Sequence, residues 1–573
     1  MNYLSDLGCA EQLISSVREE ADKAFEFIHS QCFVQGKLHN VHLDDWQSQS
    51  YELAFIVARL SAASSLLKAA RTSDGKTLAS TDETGQESTN SSARFALAAL
   101  LNSVRTISSV LGVLSSKSGT MGLSRKRLFD LWQGEKFVKL ESSYAGPQKL
   151  AAFAQELLAS GHTRLDFGLS EEQAMMRTTF ERFTQEVVSP RAEAIHRQDL
   201  DVPEEIISAA AELGCFGTCI PERFGGLQPD DKPDSLSMIV VTEELSRGSL
   251  GAAGSLITRP EIAARALLAG GTAEQQQRWL PSLAAGETLC AISITEPNTG
   301  SDVASVSLRA TRCEGGWQLN GGKTWCTFAG RSQLLVVLAR TDPDPALGYR
   351  GLSLFLVEKP VCSGHAFDIK QDEGGSLSGR AIATLGYRGM HSYELAFDDF
   401  FVPDANLVGG EAGLGKGFYA TMAGFAGGRI QTAARATGVM QAAFEAAMDY
   451  AGQRSTFGKT LAEYQLTQIK LAEMFLDISA SRQFSYEVAE LMDKGEGQME
   501  ASLVKLFSCR AAEQLTREAM QIHGGMGYAE EVAVSRYFAD ARVLSIFEGA
   551  EEVLALKVIA RSLIERAGRR GEQ

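Results

Sequence analysis

The texture of the chain changes abruptly at Cys290, and this constrains the fold more than any other feature. From Cys290 to Val402 the sequence breaks into short β-rich runs such as "LLVVLAR" and "LSLFLVEK", separated by turn stretches such as "EGGWQLNGGK". On both sides the pattern is helical. Apolar residues recur at helical spacing from Leu169 to Leu289 and again beyond Pro403, where "YAGQRSTFGK" and "IHGGMGY" supply glycine-bearing breaks. Helices, then a strand block, then helices is an α+β order rather than alternating βαβ. No G-x-G-x-x-G leads from a strand into a helix, so a Rossmann dinucleotide site is unsupported.

Further helical pattern precedes this core. Glu11–Phe33, Trp46–Arg71, Ala93–Leu114 and Gln148–Ser160 predict helices, which sets residues 1–160 apart as a helical extension. Within it, "RTSDGKTLASTDETGQESTNSS" (Arg71–Ser92) reads as a mobile polar loop. "YELAFIVARLSAASSLL" has the texture of "YQLTQIKLAEMFLDISASRQF" (Tyr464–Phe484): both open Tyr-x-Leu and run into an alanine-rich helix. Either a helical hairpin is duplicated or two alanine-rich helices coincide. A chain of 573 residues needs about three or four cores. The predicted boundaries are 1–160, 165–289, 290–403 and 404–573.

Charge and thiols narrow the function. A net charge of −16 argues against nucleic-acid binding, which normally requires a basic face. Cys215 and Cys219 have no second pair at zinc spacing and read as buried thiols, fitting a reducing compartment. "HNVHLDD" (His39–Asp45) offers metal-type ligands but lacks a partner cluster, so it reads as a polar loop and no metal site is predicted. The opening "MNYLSDLGCAEQLI" resembles neither a secretory signal nor a transit peptide, and no run of about 18 uncharged apolar residues occurs. A cytoplasmic location without a membrane span is expected.

Two segments could carry chemistry. "ISITEPNTGSD" (Ile292–Asp302) groups hydroxyls and exposed backbone N–H groups around a proline and a glycine. That suits a polar ring edge or a phosphate, and equally a plain polar turn. "NGGKTWCTFAG" (Asn320–Gly330) spaces Trp325 and Thr327 two apart on a predicted strand, so both side chains share one face. An indole there can cover a flat ring while the hydroxyl bonds its edge, or the tryptophan can simply be core.

These stretches, followed in order by "LGYRGMHSYELAFDDFFVP", "QRSTFGK", "QIHGGMGY", "RYFADAR" and "IFEGAEEV" and preceded by "LSEEQAMMRTTFERF" and "PERFGG", resemble the acyl-CoA dehydrogenase family of flavoproteins from Leu165 to Arg566. The resemblance implies a helical domain, a β-barrel-like middle domain and a C-terminal four-helix bundle, with FAD between the last two. It implies that Thr295 bonds the pyrimidine side of the flavin, that Ile294 also belongs to the cofactor site, and that Ser301 lies near cofactor phosphate and thioester. Trp325 would pack beside the isoalloxazine, with Thr327 at its N5 edge and Cys326 also in the cofactor site. Arg454, Phe457 and Gln465 match positions that hold the FAD of a neighbouring subunit, and Gln521, Gly524 and Gly525 match the turn at its diphosphate. A homodimer or homotetramer follows from that sharing.

The same resemblance makes Glu548 the catalytic base, flanked by Gly549 at the substrate and by Ala550 and Glu552 at the cofactor. Some members carry the base just before the arginine that corresponds to Arg429, itself a substrate-side position. Gly428 stands there in this chain and cannot accept a proton. Members usually have threonine where this chain has Ala550, so one hydroxyl near the flavin is missing. The chemistry is consistent: an α-proton of a thioester is weakly acidic, so a carboxylate must remove it while donors steady the enolate oxygen.

The extension lies at the N-terminus, as in family members that oxidise (2S)-methylsuccinyl-CoA to mesaconyl-CoA in the ethylmalonyl-CoA route. A dicarboxylic acyl group needs a cation for its free carboxylate. Arg247, which by rough alignment falls at the carboxylate-binding arginine of glutaryl-CoA-oxidising members, and Arg259 are the candidates. Electron-transferring flavoprotein is the electron acceptor that the resemblance implies. The alternatives are a short-chain, branched-chain or glutaryl-CoA dehydrogenase and, more distantly, a flavin oxidase or monooxygenase on the same fold or a non-catalytic acyl-CoA-binding scaffold.

Overall fold

A computed structural model describes residues 3–34, 37–77, 85–165, 168–372 and 374–571. The longer helices are, in order, α1 (Tyr3–Cys32), α2 (Gln47–Thr77), α3 (Gly85–Ser116), α4 (Pro147–Ser160), α5 (Glu171–Phe183), α6 (Ser235–Gly248), α7 (Thr258–Gly270) and α8 (Ala273–Ala284). Eight strands follow: β1 (Cys290–Ser293), β2 (Arg309–Cys313), β3 (Gly316–Thr327), β4 (Leu334–Arg340), β5 (Leu352–Glu358), β6 (Ala366–Lys370), β7 (Ser376–Ala381) and β8 (Ser392–Pro403). Helices then resume with α9 (Gly417–Gln453), α10 (Gln465–Asp493), α11 (Gln498–His523), α12 (Ala533–Leu544) and α13 (Arg561–Gly571). The α+β order and the strand block expected from the sequence are both present.

Two sequence expectations are corrected. Helix α2 continues to Thr77 and α3 begins at Gly85, so most of the expected loop over Arg71–Ser92 is helical, and its residues 78–84 lie outside the described residues. His39–Asp45 is not a loop: Asn40–Asp45 form a short, largely exposed helix.

The chain forms two compact units, Met1–Ala174 with Val439–Gln573, and Met175–Gly438. In the first, α1 packs on α2, α3 and α13, while α2 and α4 pack on α10. The two alanine-rich helices with similar sequences, α2 and α10, are therefore neighbours. Rings join the layers: Phe153 of α4 and Phe444 of α9 each meet Phe475 of α10, with centroids 5.6 and 5.9 Å apart. All three are almost fully buried, and each such side chain contributes about 1.5–3 kcal/mol by leaving water. Lys68 reaches Glu487 at 2.8 Å and Arg105 pairs with Asp477. Residues 1–160 thus share a core with the C-terminal helices. Gln47–Thr72 and Ser91–Ser116 are long and apolar enough to cross a membrane by length and composition, although each is interrupted by charged residues. Most of both windows is buried in this shared core.

In the second unit the sheet runs β1-β4-β2-β3-β8-β7-β6, with β5 paired to β4. Pairing is antiparallel except for β1 with β4 and the contact of β2 with β4. One sheet face closes on its own core around Trp317, Phe355, Phe397 and Phe400. The other packs Val336, Leu338, Leu354 and Leu356 against α7 and α8 through Leu267, Trp279 and Leu283. Helix α8 starts on a capping box between Thr272 and Gln275. The Gln275 amide also donates to the carbonyls of Ala405 and Leu407 and accepts from Gly409 N, which ties the helix to the chain leaving β8.

Candidate active site

The site residues fall into two sets, one in each unit. In the second unit, Glu296 and Thr299 exchange both backbone hydrogen bonds and close the turn that follows β1. Thr324 N donates to Thr295 O at 2.9 Å, which fixes this turn against the end of β3. Beneath it Lys323 Nζ donates to Ile294 O at 2.8 Å and lies 2.9 Å from Glu296 Oε1. Glu296 also accepts from Ser307 and Leu308. Burial alone would raise its carboxyl, but the Lys323 charge and these donors outweigh that and hold it below the ordinary range.

A β-bulge shapes the end of β3. Tyr393 faces Cys326 and Leu395 faces Lys323, so Thr324 and Trp325 together oppose Glu394. Trp325 adopts φ +56° and is 55% exposed, whereas Cys326 is buried beside Ser293. A large aromatic held at positive φ and open to solvent is costly on both counts, which argues against a core role for the indole. Thr327, half-buried, shares a hydrogen bond of 2.9 Å with Ser392 of β8. Ile294 is buried, Thr295 is half-buried and Ser301 is exposed at the turn's outer end.

The two candidate arginines differ sharply. Arg247 is already paired, with Glu181 at 2.6 Å and Glu244 at 3.3 Å. Arg259 is 6% exposed and donates only to Ser255 O at 2.9 Å and Tyr387 Oη at 3.0 Å; among the described residues no carboxylate pairs with it. The buried Arg435 meets the same serine through Ser255 Oγ at 3.0 Å. Sequence reasoning missed Arg435, because "QTAARATG" looks like an ordinary helix. Arg429 is half-buried on α9. Gly428, beside it, is buried and bears no acid. A Cβ at Gly427 would lie 2.0 Å from Glu261 Oε1, so this stretch of α9 is bare where α7 approaches.

Sequence reasoning also missed an ionic cluster, whose members come from separate segments. Buried His391 has Nε2 3.2 Å from Asp199 and Nδ1 3.0 Å from Asp201, with the His365 ring 4.3 Å away. Asp199, His365 and His391 bring ligand-type atoms within 4.8 Å of one another, while Arg388 stands 3.6 Å from Asp199. Burial would lower His391, but the two aspartates prevail and raise it above its ordinary value.

In the first unit, Glu548 sits on the turn between α12 and the final helical stretch. It adopts φ +54°, followed by Gly549 at +98°, and is half-buried. Among the described residues neither its carboxylate nor its backbone N–H has a hydrogen-bond partner. The turn around it is held from several sides. Lys505 Nζ, fully buried, donates to Gly549 O at 2.7 Å. Glu551 N donates to Ser545 O at 3.0 Å, and Ser545 Oγ bonds Glu513. Ala550 occupies the N-cap of the following helix without a side-chain bond, and Glu552 is exposed.

Two further segments of this unit carry expected cofactor residues. Phe457 and Gly458 turn the hairpin between Ser455–Thr456 and Lys459–Thr460, both at positive φ, and Phe457 is 95% exposed. Arg454 and Gln465, on either side, are exposed as well. At the end of α11, Gln521, Gly524 and Gly525 are exposed, and a Cβ on either glycine would meet nothing within 4 Å.

Three family models cover the chain: the acyl-CoA dehydrogenase N-terminal domain at residues 170–287, the middle domain at 291–400 and the C-terminal domain at 415–564. The chain is 46% identical to (2S)-methylsuccinyl-CoA dehydrogenase of Cereibacter sphaeroides over 414 residues, 71% of this chain and 73% of that one. It aligns with butyryl-CoA dehydrogenase from Megasphaera elsdenii at a TM-score of 0.63 and 31% identity, over 70% of this chain and all of that one. A glutaryl-CoA dehydrogenase from Mycobacterium smegmatis in complex with FADH2 aligns at 0.61 and 25%, over 70% of this chain and 96% of that one. With three domain models in the family's order and an unpartnered glutamate on the turn before its last helix, the chain belongs to the acyl-CoA dehydrogenase family, flavin-dependent oxidoreductases acting on CH–CH bonds.

Proposed function

We propose that this enzyme oxidises the Cα–Cβ bond of a short acyl-CoA with a free distal carboxylate, converting (2S)-methylsuccinyl-CoA to mesaconyl-CoA with FAD as cofactor and Glu548 as base. The observation that carries the substrate reading is Arg259, a buried guanidinium without a carboxylate partner among the described residues. An uncompensated buried charge is costly, and a substrate carboxylate would relieve it. Arg435 adds a second positive charge at Ser255, whereas Arg247 is already neutralised. The 46% identity to a methylsuccinyl-CoA dehydrogenase supports the same substrate.

The residues present fit a flavin. Trp325 offers an open indole face, Thr327 and Ser392 offer hydroxyls at a strand end, and Gly524 with Gly525 leaves backbone bare for a diphosphate. When bound, FAD supplies the acceptor for a hydride from Cβ. Glu548 removes the α-proton, and its position at positive φ with no competing partner keeps the carboxylate available. Its free backbone N–H is the donor for the thioester oxygen as negative charge develops there. Arg259 holds the acyl group by its far end, which directs binding energy into its orientation.

Arg454, Phe457, Gln465, Gln521, Gly524 and Gly525 are exposed and support a homodimer or homotetramer in which they hold a neighbouring subunit's FAD. Electron-transferring flavoprotein is the proposed acceptor. Nine free cysteines fit the cytoplasm.

Arg259→Met and Arg247→Met, assayed with methylsuccinyl-CoA and butyryl-CoA, test the substrate reading. Loss of a charge-assisted contact is expected to cost Arg259→Met about 10- to 100-fold in kcat/KM for methylsuccinyl-CoA only. An equal loss for both substrates overturns it. Glu548→Gln is expected to keep the yellow flavin and abolish its bleaching by substrate, and full turnover by that variant would reassign the base.

A further inference from the structure

The N-terminal extension reaches the turn that bears Glu548. Tyr51 Oη of α2 donates to the Glu551 carboxylate, three residues beyond the base, and Arg510 of α11 binds the same carboxylate. Arg510 Nη2 also donates to Tyr51 Oη at 2.8 Å, and its guanidinium lies 4.5 Å over the ring of Phe55, one helical turn along α2. The Tyr51 and Phe55 rings are 5.1 Å apart. Burial, and then the bond to Glu551, push the Tyr51 hydroxyl up to about 12, so it remains a donor at neutral pH.

We infer that Tyr51 and Arg510 are positioning residues for catalysis: together they clamp Glu551 and hold the Glu548 turn in its reactive shape. The inference rests on Glu548 being the base. A non-glycine residue at positive φ costs energy and persists only where its surroundings over-determine it. The Glu548 turn has that support at three points: Ser545 through Glu513, Gly549 O through Lys505, and Glu551 through Tyr51 and Arg510. The first two come from α11, near in sequence. The third draws on α2, more than 450 positions away. Release of that anchor frees the C-terminal end of the turn and moves the carboxylate relative to the substrate Cα. A displacement of about 1 Å can cost about a hundredfold in rate.

The test compares Tyr51→Phe, which keeps the ring and its packing, with Lys68→Met, which removes an extension-to-α10 ion pair far from the turn, and with Glu548→Gln. Flavin reduction is followed in single turnover at saturating substrate and expressed per bound flavin, so loss of folded protein does not enter. Tyr51→Phe is expected to slow reduction at least tenfold with KM unchanged and to raise the isotope effect of α-deuterated, but not β-deuterated, substrate. Amide exchange in the flavin-free protein is expected to quicken at residues 546–550 and to stay unchanged in α10. Lys68→Met is expected to match the parent in all these readouts. If Tyr51→Phe lowers the melting temperature but leaves the rate and the α-isotope effect unchanged, Tyr51 is structural only and the inference fails, while an inactive Glu548→Gln still upholds the base. If Glu548→Gln turns over fully, the base assignment fails first.

Discussion

Lys323 Nζ lies 2.9 Å from Glu296 Oε1, with both side chains buried under the turn that carries Thr295. Removing one member strands the other charge in a dry site. Glu296→Gln is therefore expected to lower stability by about 3–5 kcal/mol, read from the urea midpoint, whereas the double change Glu296→Met with Lys323→Met costs far less. The carboxyl is held below its ordinary value of 4.5, so its contribution is present above that pH and is lost as pH falls through the folded value. The double variant is expected to show a flatter acid limb.

His391 gives the opposite pH sign. Its folded value is raised above 6.5 by Asp201 and Asp199 against the effect of burial. Its contribution is fully present below pH 6.5 and is lost as pH rises through the folded value. Melting temperatures measured from about pH 6 to about pH 9 are expected to decline more steeply in the parent than in His391→Gln.

Ala550 caps the helix after the base turn without a side-chain bond. Ala550→Thr is expected to add about 1 kcal/mol by bonding a free N–H of the first turn, measurable by thermal unfolding. No gain in melting temperature would show that the turn cannot seat the hydroxyl.

Phe457 has almost its whole surface in water and contributes little to the chain's own core. Phe457→Ser is expected to leave the urea transition of the flavin-free protein within about 0.5 kcal/mol of the parent. Flavin bound per chain after gel filtration is expected to drop. A preserved flavin content would remove this hairpin from the cofactor site.

Much of this architecture is legible in the order of textures, because period-2 and period-3.6 patterns survive whatever packs on them. The boundary at Cys290 and the helices at Gln148–Ser160 and Trp46–Arg71 follow from it. Glu548 stands out in the sequence through its place between Phe547 and Gly549 and its match to the family motif, but its positive φ does not. Pairings between distant segments are not legible. Nothing around Arg247 announces Glu181, and nothing around Arg259 announces the lack of an acid. The positive φ of Trp325 arises from a two-against-one register with Glu394, which no local propensity encodes. The polar run at Arg71–Ser92 misleads because polar helix ends and loops share one composition.

The embedding of α2 and α3 in the same core as α10 has a practical corollary for anyone shortening this protein. Cutting before residue 165, at the first family motif, would not liberate a minimal catalyst. It would unclothe the apolar flank of α10, and the severed fragment would bare the face of α2 that lies against α10 and α11. Both pieces should precipitate when made separately and recover solubility when made together, so the natural unit of engineering is the whole polypeptide.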